Sequence, residues 1–389
     1  MSFAMSRNQL VTGWEIEKLG SICENLDSKR VPVTQSSRKS GNTPYYGASG
    51  IVDYVADYIF NEDLLLVSED GANLLARTYP IAFSITGKAW VNNHAHVLRF
   101  TEKITQSFVE YYLNVISLEP YVSGMAQPKL NQKSLNSIAI PIPPLSQQKR
   151  IVTILDEAFE EIDRTIANTK KNLTNARELF ESYLNATFTQ RDSVPTVAIS
   201  DIGEIFDGPH ATPKTIDSGP IFLGISSLQD GAIKLEKTRH VSPEDFQKWT
   251  RRVKPRTDDI VFSYETRLGQ AAIIPEGLEC CLGRRMGLVR VDKTQIEPLY
   301  FLYLYISPIF QKFLNEKTIR GATVDRISIK EFPSFPIPLP NLEDQKSIVF
   351  QVDMLSTETQ RLETIYQQKL AALAELKKSL LHRAFSGEL

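Results

Sequence analysis

Three cysteines in 389 residues leave little room for disulfide chemistry, because Cys280 and Cys281 are adjacent, Cys23 is distant and no Cys-x-x-Cys pair occurs. Neighbouring cysteines rarely bridge, so a disulfide-stapled scaffold is excluded and a reducing, cytoplasmic compartment is expected. Long apolar runs are also missing. The longest, Leu299 to Ile306, is followed by Pro308 and falls far short of the roughly 20 residues that span a bilayer. No basic-then-apolar leader opens the chain, so no membrane partner is expected. Basic charge is not in excess: 44 Lys and Arg stand against 46 Asp and Glu, for a formal net charge of −2. Any nucleic-acid binding must then come from local patches rather than bulk attraction.

Catalytic signatures are absent as well. No GxxxxGK[ST] phosphate loop occurs, so ATP hydrolysis by this chain is not expected. Thr43-Pro44-Tyr45-Tyr46 has the wrong first and third residues for the (D/N/S)PP(Y/F) tetrapeptide of amino-methyltransferases, and no Gly-rich cofactor loop accompanies it. His94 and His96 alternate on one expected strand, but no Cys or third His lies at zinc-site spacing, which makes them packing or hydrogen-bonding residues before metal ligands.

What is present is a repeat. The stretch SLNSIAIPIPPLSQQKRIVTILDEAFEEID, opening at Ser134, returns as IKEFPSFPIPLPNLEDQKSIVFQVDMLSTE, and Gln148/Gln345, Pro143/Pro340 and Ile151/Ile348 are all 197 positions apart. In each copy a Pro-rich lead-in (Pro141, Pro143, Pro144; Pro336, Pro338, Pro340) precedes a candidate N-cap, Ser146 or Asn341, and then a long periodic run. Proline forbids helix before that point, so each run starts sharply.

In the first run Leu155, Phe159, Ile162, Ile166, Thr169, Leu173, Ala176, Phe180 and Tyr183 alternate steps of four and three, the seam of a coiled coil. In the second, Ile348, Val352, Leu355, Thr359, Leu362, Tyr366, Leu373, Leu376 and Leu380 keep that rhythm, with Lys369 as its break. About 40 residues at 1.5 Å each make a rod of roughly 60 Å whose natural partner is its own echo.

The remaining sequence is strand and turn. Ile51–Tyr54, Leu64–Val67, Ala82–Ile85 and Ala95–Leu98 are strand-like and punctuated by glycines, and Gln106 to Ile116 reads as a helix. After the first long run VAISDIGEIFDG resembles WEIEKLGSICEN, with Ile202-Gly203 set against Leu19-Gly20. Strands follow at Ile221–Ile225, Asp259–Ser263 and Met286–Val291, then a helix over Leu299–Phe313. Gly124/Gly321 and Lys129/Arg326 return to the 197 offset.

Groove-entering loops need Arg, Asn and other planar donors for base edges, and Arg, Lys, Ser or Thr for phosphates. In the first globular part Asn92, Asn93, His94 and His96 lie beside Lys88, and Tyr45-Tyr46 begin a Gly-rich loop. The plainer alternative makes Tyr45 a core aromatic and the asparagines a turn. In the second part His210, Thr212 and Lys214 sit in a Gly/Pro loop. Arg251 and Arg252 open a basic run suited to phosphates, and Arg267, Arg284 and Arg285 flank expected strands, the last two as base readers. A solvated helix end is the bland account of the basic run.

The segments PIPPLSQQKRIV (141–152), PLPNLEDQKSIV (338–349) and LKKSLLHRAFSGEL (376–389) carry a resemblance. So do GKAWVNNHAHVLR (87–99), FDGPHATPK (206–214) and DDIVFSYETRLGQAAIIPEG (258–277). Over essentially its whole length the chain resembles the DNA-specificity subunit of type I restriction-modification enzymes. The resemblance implies an α+β fold: two target-recognition domains (1–145 and 191–340) separated by two long spacer helices (146–190 and 341–389) that form an antiparallel coiled coil, a pseudo-twofold tandem repeat. It implies a non-catalytic subunit that reads a bipartite double-stranded DNA target, with the helices as spacer ruler and docking platform. Methyltransferase and restriction subunits are the implied partners, and S-adenosylmethionine, ATP and Mg belong to them, with no cofactor and no metal in this chain.

Overall fold

The computed structural model describes residues 12–124, 127–189, 194–321 and 324–389. Both periodic runs are unbroken helices, Leu145–Thr189 and Leu342–Ser386, of 45 residues each. The chain divides into two compact units, 1–169 with 368–389, and 170–367, so half of each long helix belongs to each unit.

Helix entry is governed by the repeated glutamine. Gln148 donates to the Pro143 carbonyl (2.8 Å) and accepts from Thr105 Oγ1 (2.8 Å). Gln345 donates to the Pro340 carbonyl (2.7 Å) and accepts from the Glu297 amide (2.8 Å). Both side chains are buried, and each bonds the carbonyl that its proline places outside the helix. Asn341 is a true N-cap, accepting from the Asp344 amide at 2.9 Å. Ser146 is not. The position equivalent to Asn341 is Pro144, whose carbonyl accepts from the Gln147 and Gln148 amides, so the first helix is capped by backbone alone.

Every expected seam residue of the first helix is buried or half-buried. In the second the stripe follows the expected positions to Tyr366 and then continues through Leu370, Leu373, Lys377, Leu380 and Ala384. Leu376, placed on the seam by the sequence, is instead 46% exposed. The four-four step at Tyr366–Leu370 is a stutter, which turns the stripe by one position and makes Lys369 an outward residue rather than a break in the core. Lys377 fills its seam place through its stem, with the ammonium over the Phe159 ring and paired with Asp163. In the second unit Arg177 bonds Glu363 and Tyr183 bonds Gln351. Within each unit the two helix segments thus run antiparallel.

Each unit holds the same globular plan. In the first, Glu24–Asn25, Ala95–Arg99, Leu64–Ser68 and Ala82–Ile85 form an antiparallel sheet in that order. A second sheet orders Gly50–Val55, Ser40–Gly47, Lys88–Val91 and Phe60–Asn61, with Ser40–Gly47 and Lys88–Val91 parallel. In the second unit Gly203–Asp207, Met286–Val291, Ile260–Ser263 and Ala271–Ile273 repeat the first sheet. Arg239–His240, Ile216–Leu223 and Cys280–Leu282 repeat the second, again with one parallel pair.

The central strand Leu64–Ser68 is buried on both faces. Leu64 and Leu66 face the second sheet with Phe60, Val91 and Val97. Leu65 and Val67 face helix Lys103–Leu113 and the long helices, with Phe108, Leu155 and Phe385. Period-two alternation therefore serves two cores at once. The globular part grips the long helix alike in both units: Tyr111 donates to Asp156 (2.5 Å) and Tyr303 to Asp353 (2.8 Å), carboxylates again 197 positions apart.

Two further details differ from the sequence expectation. The helix expected over Leu299–Phe313 is two, Pro298–Ile306 and Pro308–Glu316, because Pro308 has no amide to continue the first and holds Ser307 extended (ψ 146°). The alignment of Leu19 with Ile202 slides by three. Leu19 N donates to Ile138 O and Ile199 N to Phe335 O, so Ile199 is the counterpart of Leu19.

Candidate nucleic-acid interface

The structural correspondence of the two units can be followed from strand to turn. Glu69 N donates to His94 O (2.9 Å) and Tyr264 N donates to Arg285 O (3.2 Å), which makes His94 the counterpart of Arg285 and Asn93 that of Arg284. Gly71 N donates to Pro128 O and Thr266 N to Asp325 O, which pairs Asp70 with Glu265 as well. In each unit the turn between two sheets thus presents two consecutive polar side chains beside one acidic strand end.

The second of those side chains is tied down in both units. His94 Nδ1 lies 2.8 Å from Asp70 Oδ2, and Arg285 Nε lies 2.7 Å from Glu265 Oε2 with Nη1 on Thr266 Oγ1 (3.1 Å). Arg285 and Thr266 both sit in the left-handed region, with φ of 72° and 67°. A β-branched residue there is costly, and the first unit places Gly71 where the second has Thr266. The first side chain of each turn, Asn93 or Arg284, is exposed and makes no hydrogen bond or ion pair among the described residues.

Arg284 and Arg285 separate two concavities. One, of about 270 Å³, is lined by Thr212, Ser226, Lys237 and Arg239. The other, of about 610 Å³, is lined by His210, Tyr264, Arg326 and Lys330. His210 Nε2 rests 2.9 Å from Asp207 Oδ2. Asp207 also accepts from the Tyr264 hydroxyl (2.9 Å), which burial and then that carboxylate push well above the ordinary tyrosine value. Arg252 donates to the Asp207 carbonyl (3.3 Å). Hence His210, Thr212, Arg252, Arg284 and Arg285 share one face. Arg251 is exposed next to Arg252, and Lys214 is exposed beyond Thr212. Arg267 is half-buried, held by the Ile225 and Ser226 carbonyls (3.3 and 3.2 Å), and braces a loop rather than presenting a free guanidinium.

In the first unit three sequence candidates lie inside. Tyr45 is core, its hydroxyl accepting from the Val33 amide at 3.1 Å under the Arg38 guanidinium. Asn92 is buried and shapes the turn, its Oδ1 accepting from the His94 amide at 2.8 Å. His96 is 1% exposed and both ring nitrogens are engaged, Nδ1 with Asp27 (2.6 Å) and Nε2 with the Leu130 carbonyl (2.7 Å). All three are buried, Asn92 the least at 8% exposed, a distinction that the fold makes and residue type does not. His94, expected to share a strand face with His96, precedes the strand Ala95–Arg99 and is exposed. Tyr46 is half-buried against Phe83, and Lys88 stands over the Tyr58 ring at the far end of its strand from the turn.

Sequence reasoning missed the acidic partners Asp70 and Glu265, the cations Lys237, Arg239 and Arg326, and the hairpin residues Ile51 and Val52. The last two are exposed beside the first turn, where a Cβ on Gly47 would stand 3.0 Å from Val52 and 3.4 Å from Asn92. Asp27, Glu69 and His96 bring ligand atoms within 4.8 Å of one another. That space already holds a cation, since Arg30 lies 2.6 Å from Glu69 and 3.4 Å from Asp27. Burial pushes the thiols of Cys23, Cys280 and Cys281 up to about 12, which leaves them inert as nucleophiles at neutral pH.

Two like-built units, each with a fixed turn that projects one free polar side chain, define a tandem recognition chain. It matches the type I restriction modification DNA specificity domain over residues 12–175 and again over 192–372, and the chain belongs to that family. A Haemophilus influenzae chain provisionally named a type I restriction enzyme specificity subunit is 28% identical over 360 residues, covering 90% of each chain. The fold is shared with the solved HsdS subunit from Thermoanaerobacter tengcongensis (TM-score 0.57, 19% identity, 98% of each chain). It is shared more closely with a chain solved for complex assembly and conformational transition of the type I R-M system (TM-score 0.71, 19% identity, 98% and 99% covered). Among the described residues no helix is long and apolar enough to cross a membrane.

Proposed function

We propose that this chain is the non-catalytic DNA-reading subunit of a type I restriction-modification complex, acting in the cytoplasm on an asymmetric target in two parts. Each globular part reads one part of double-stranded DNA, and the paired long helices set the gap between them. Methyltransferase and restriction subunits assemble on the chain and supply the S-adenosylmethionine, ATP and Mg chemistry. The observation that carries this reading is the repeated turn, with Asn93 in one unit and Arg284 in the other free at the same structural position. Joining two weak contacts through a stiff spacer gives tight binding only where the DNA spacing fits.

The test is to assemble the chain with the methyltransferase subunits of its system and map every methylated adenine across a genome. The expected motif is two short specified blocks around an unspecified gap, with no methylation by the chain alone. One contiguous motif, or methylation without partners, would sink the proposal.

A further inference from the structure

We infer that the two units read different bases through one shared position: Asn93 reads an adenine in one block of the target and Arg284 reads a guanine in the other. The inference rests on the recognition function proposed above and adds the chemical identity of one base in each block.

The position is shared because the same backbone bond, Glu69 to His94 and Tyr264 to Arg285, fixes the turn in both units. An acidic neighbour then holds the second side chain of each turn in place, Asp70 holding His94 and Glu265 holding Arg285. The first side chain of each turn, an amide in the first unit and a guanidinium in the second, is exposed and has no hydrogen bond or ion pair among the described residues. In the major groove an amide matches the N6 donor and N7 acceptor of adenine, and a guanidinium matches the O6 and N7 acceptors of guanine.

The surroundings point the same way independently. Beside the first turn the hairpin tip exposes Ile51 (48%) and Val52 (53%), apolar contacts of the kind that meet a thymine methyl on the same A·T pair. The turn in the second unit shares its concavity with Lys237 and Arg239, which suit the phosphates flanking a G·C pair.

The experiment uses the assembled methyltransferase complex and duplexes carrying its own target. Arg284→Ala and Asn93→Ala are each combined with single 7-deazaguanine or 7-deazaadenine substitutions, which remove only the N7 acceptor. Arg284→Ala should weaken binding about tenfold to a hundredfold. One 7-deazaguanine, confined to one block, should cost the wild-type complex a similar factor and cost the variant nothing further. Asn93→Ala should behave likewise with one 7-deazaadenine in the other block. Both side chains are exposed and unbonded, so unchanged thermal unfolding is expected and serves as the control. A block affected by Arg284→Ala that contains no guanine overturns the inference, as do fully additive losses at every guanine. A wild-type motif that is not bipartite would overturn the recognition function itself, and that result is distinguishable from these.

Discussion

His96 Nδ1 stands 2.6 Å from Asp27 Oδ2 on a ring whose Nε2 stands 2.7 Å from the Leu130 carbonyl oxygen. A carbonyl only accepts, so Nε2 is the nitrogen that donates to Leu130, and Nδ1 is left to face the Asp27 carboxyl. The buried ring is therefore clamped between the Asp27 carboxylate and the Leu130 carbonyl. In the second unit the equivalent residue is Gly287, whose missing side chain leaves room for the Phe262 ring, 2.4 Å from where a Cβ would stand. One unit thus secures its strand with a buried His–Asp hydrogen bond and the other with an aromatic ring.

A pH dependence follows for the first unit. Burial pushes the Asp27 carboxyl up, but the hydrogen bond and charge of His96, with the Val97 amide and Arg30, hold it below the usual carboxylate range. A depressed carboxylate adds stability above its ordinary value near 4, and that stability is lost as pH falls through the folded-state value. With Trp249→Phe as background, Trp14 and Trp90 report on the first unit alone. Its urea midpoint should fall steeply on acidification, and Asp27→Asn should start lower and show a flatter fall. Parallel curves would remove Asp27 from the acid response.

The glutamines make a second prediction. Gln148→Ala strands the buried Pro143 carbonyl and Gln345→Ala strands that of Pro340, so each should cost about 1–3 kcal/mol in urea unfolding of its unit. A loss below about 0.5 kcal/mol at both sites would mean that water replaces them without penalty.

That pair also marks what sequence alone made legible. Local period and a constant offset exposed the helices, their seams and the glutamines, because those signals need no knowledge of distant neighbours. The partners of Asp27 lie 69 and 70 positions away at His96 and Val97, and those of Glu265 and Arg285 meet across a turn. No pattern along the chain encodes such pairings. Tyr45, Asn92 and His96 therefore read as surface candidates from residue type while the fold buries them. Asn93 and Arg284 are exposed on the turn, and Arg285 is half-buried there against Glu265.

Backbone strain at the second turn gives a third expectation. Thr266 occupies φ 67°, where its counterpart is Gly71 at φ 109°. Left-handed geometry costs a side-chain-bearing residue roughly 1–2 kcal/mol, against which Thr266→Gly forfeits one exposed hydrogen bond to Arg285 and adds freedom to the unfolded chain. The variant should be neutral to about 1 kcal/mol more stable by urea unfolding. A loss greater than about 1 kcal/mol would show that the Thr266–Arg285 contact outweighs the strain.

The basic run tests the phosphate side of the interface. After helix Pro243–Trp249, Val253 and Pro255 are buried while Arg252, Lys254 and Arg256 alternate outward. The chain is therefore anchored and its cations are held toward solvent. Lys254 is engaged by Glu279 (2.5 Å), whereas among the described residues the Arg251 side chain makes no hydrogen bond or ion pair and Arg252 bonds only the Asp207 carbonyl, on the face that carries Arg284. Cations so placed add affinity without reading bases, since each phosphate contact releases counterions and steepens the dependence of log K on log salt by about 0.9. Replacing Arg251 and Arg252 together with Ala should lower binding of the assembled complex to all duplexes alike and flatten that slope by between about 1 and 2. The methylation motif should not change, because neither arginine lies on the turn between strands. A slope equal to that of the wild type would take both residues off the DNA and leave the run as a solvated helix end. A motif altered in one block would instead move base reading from Arg284 toward this segment.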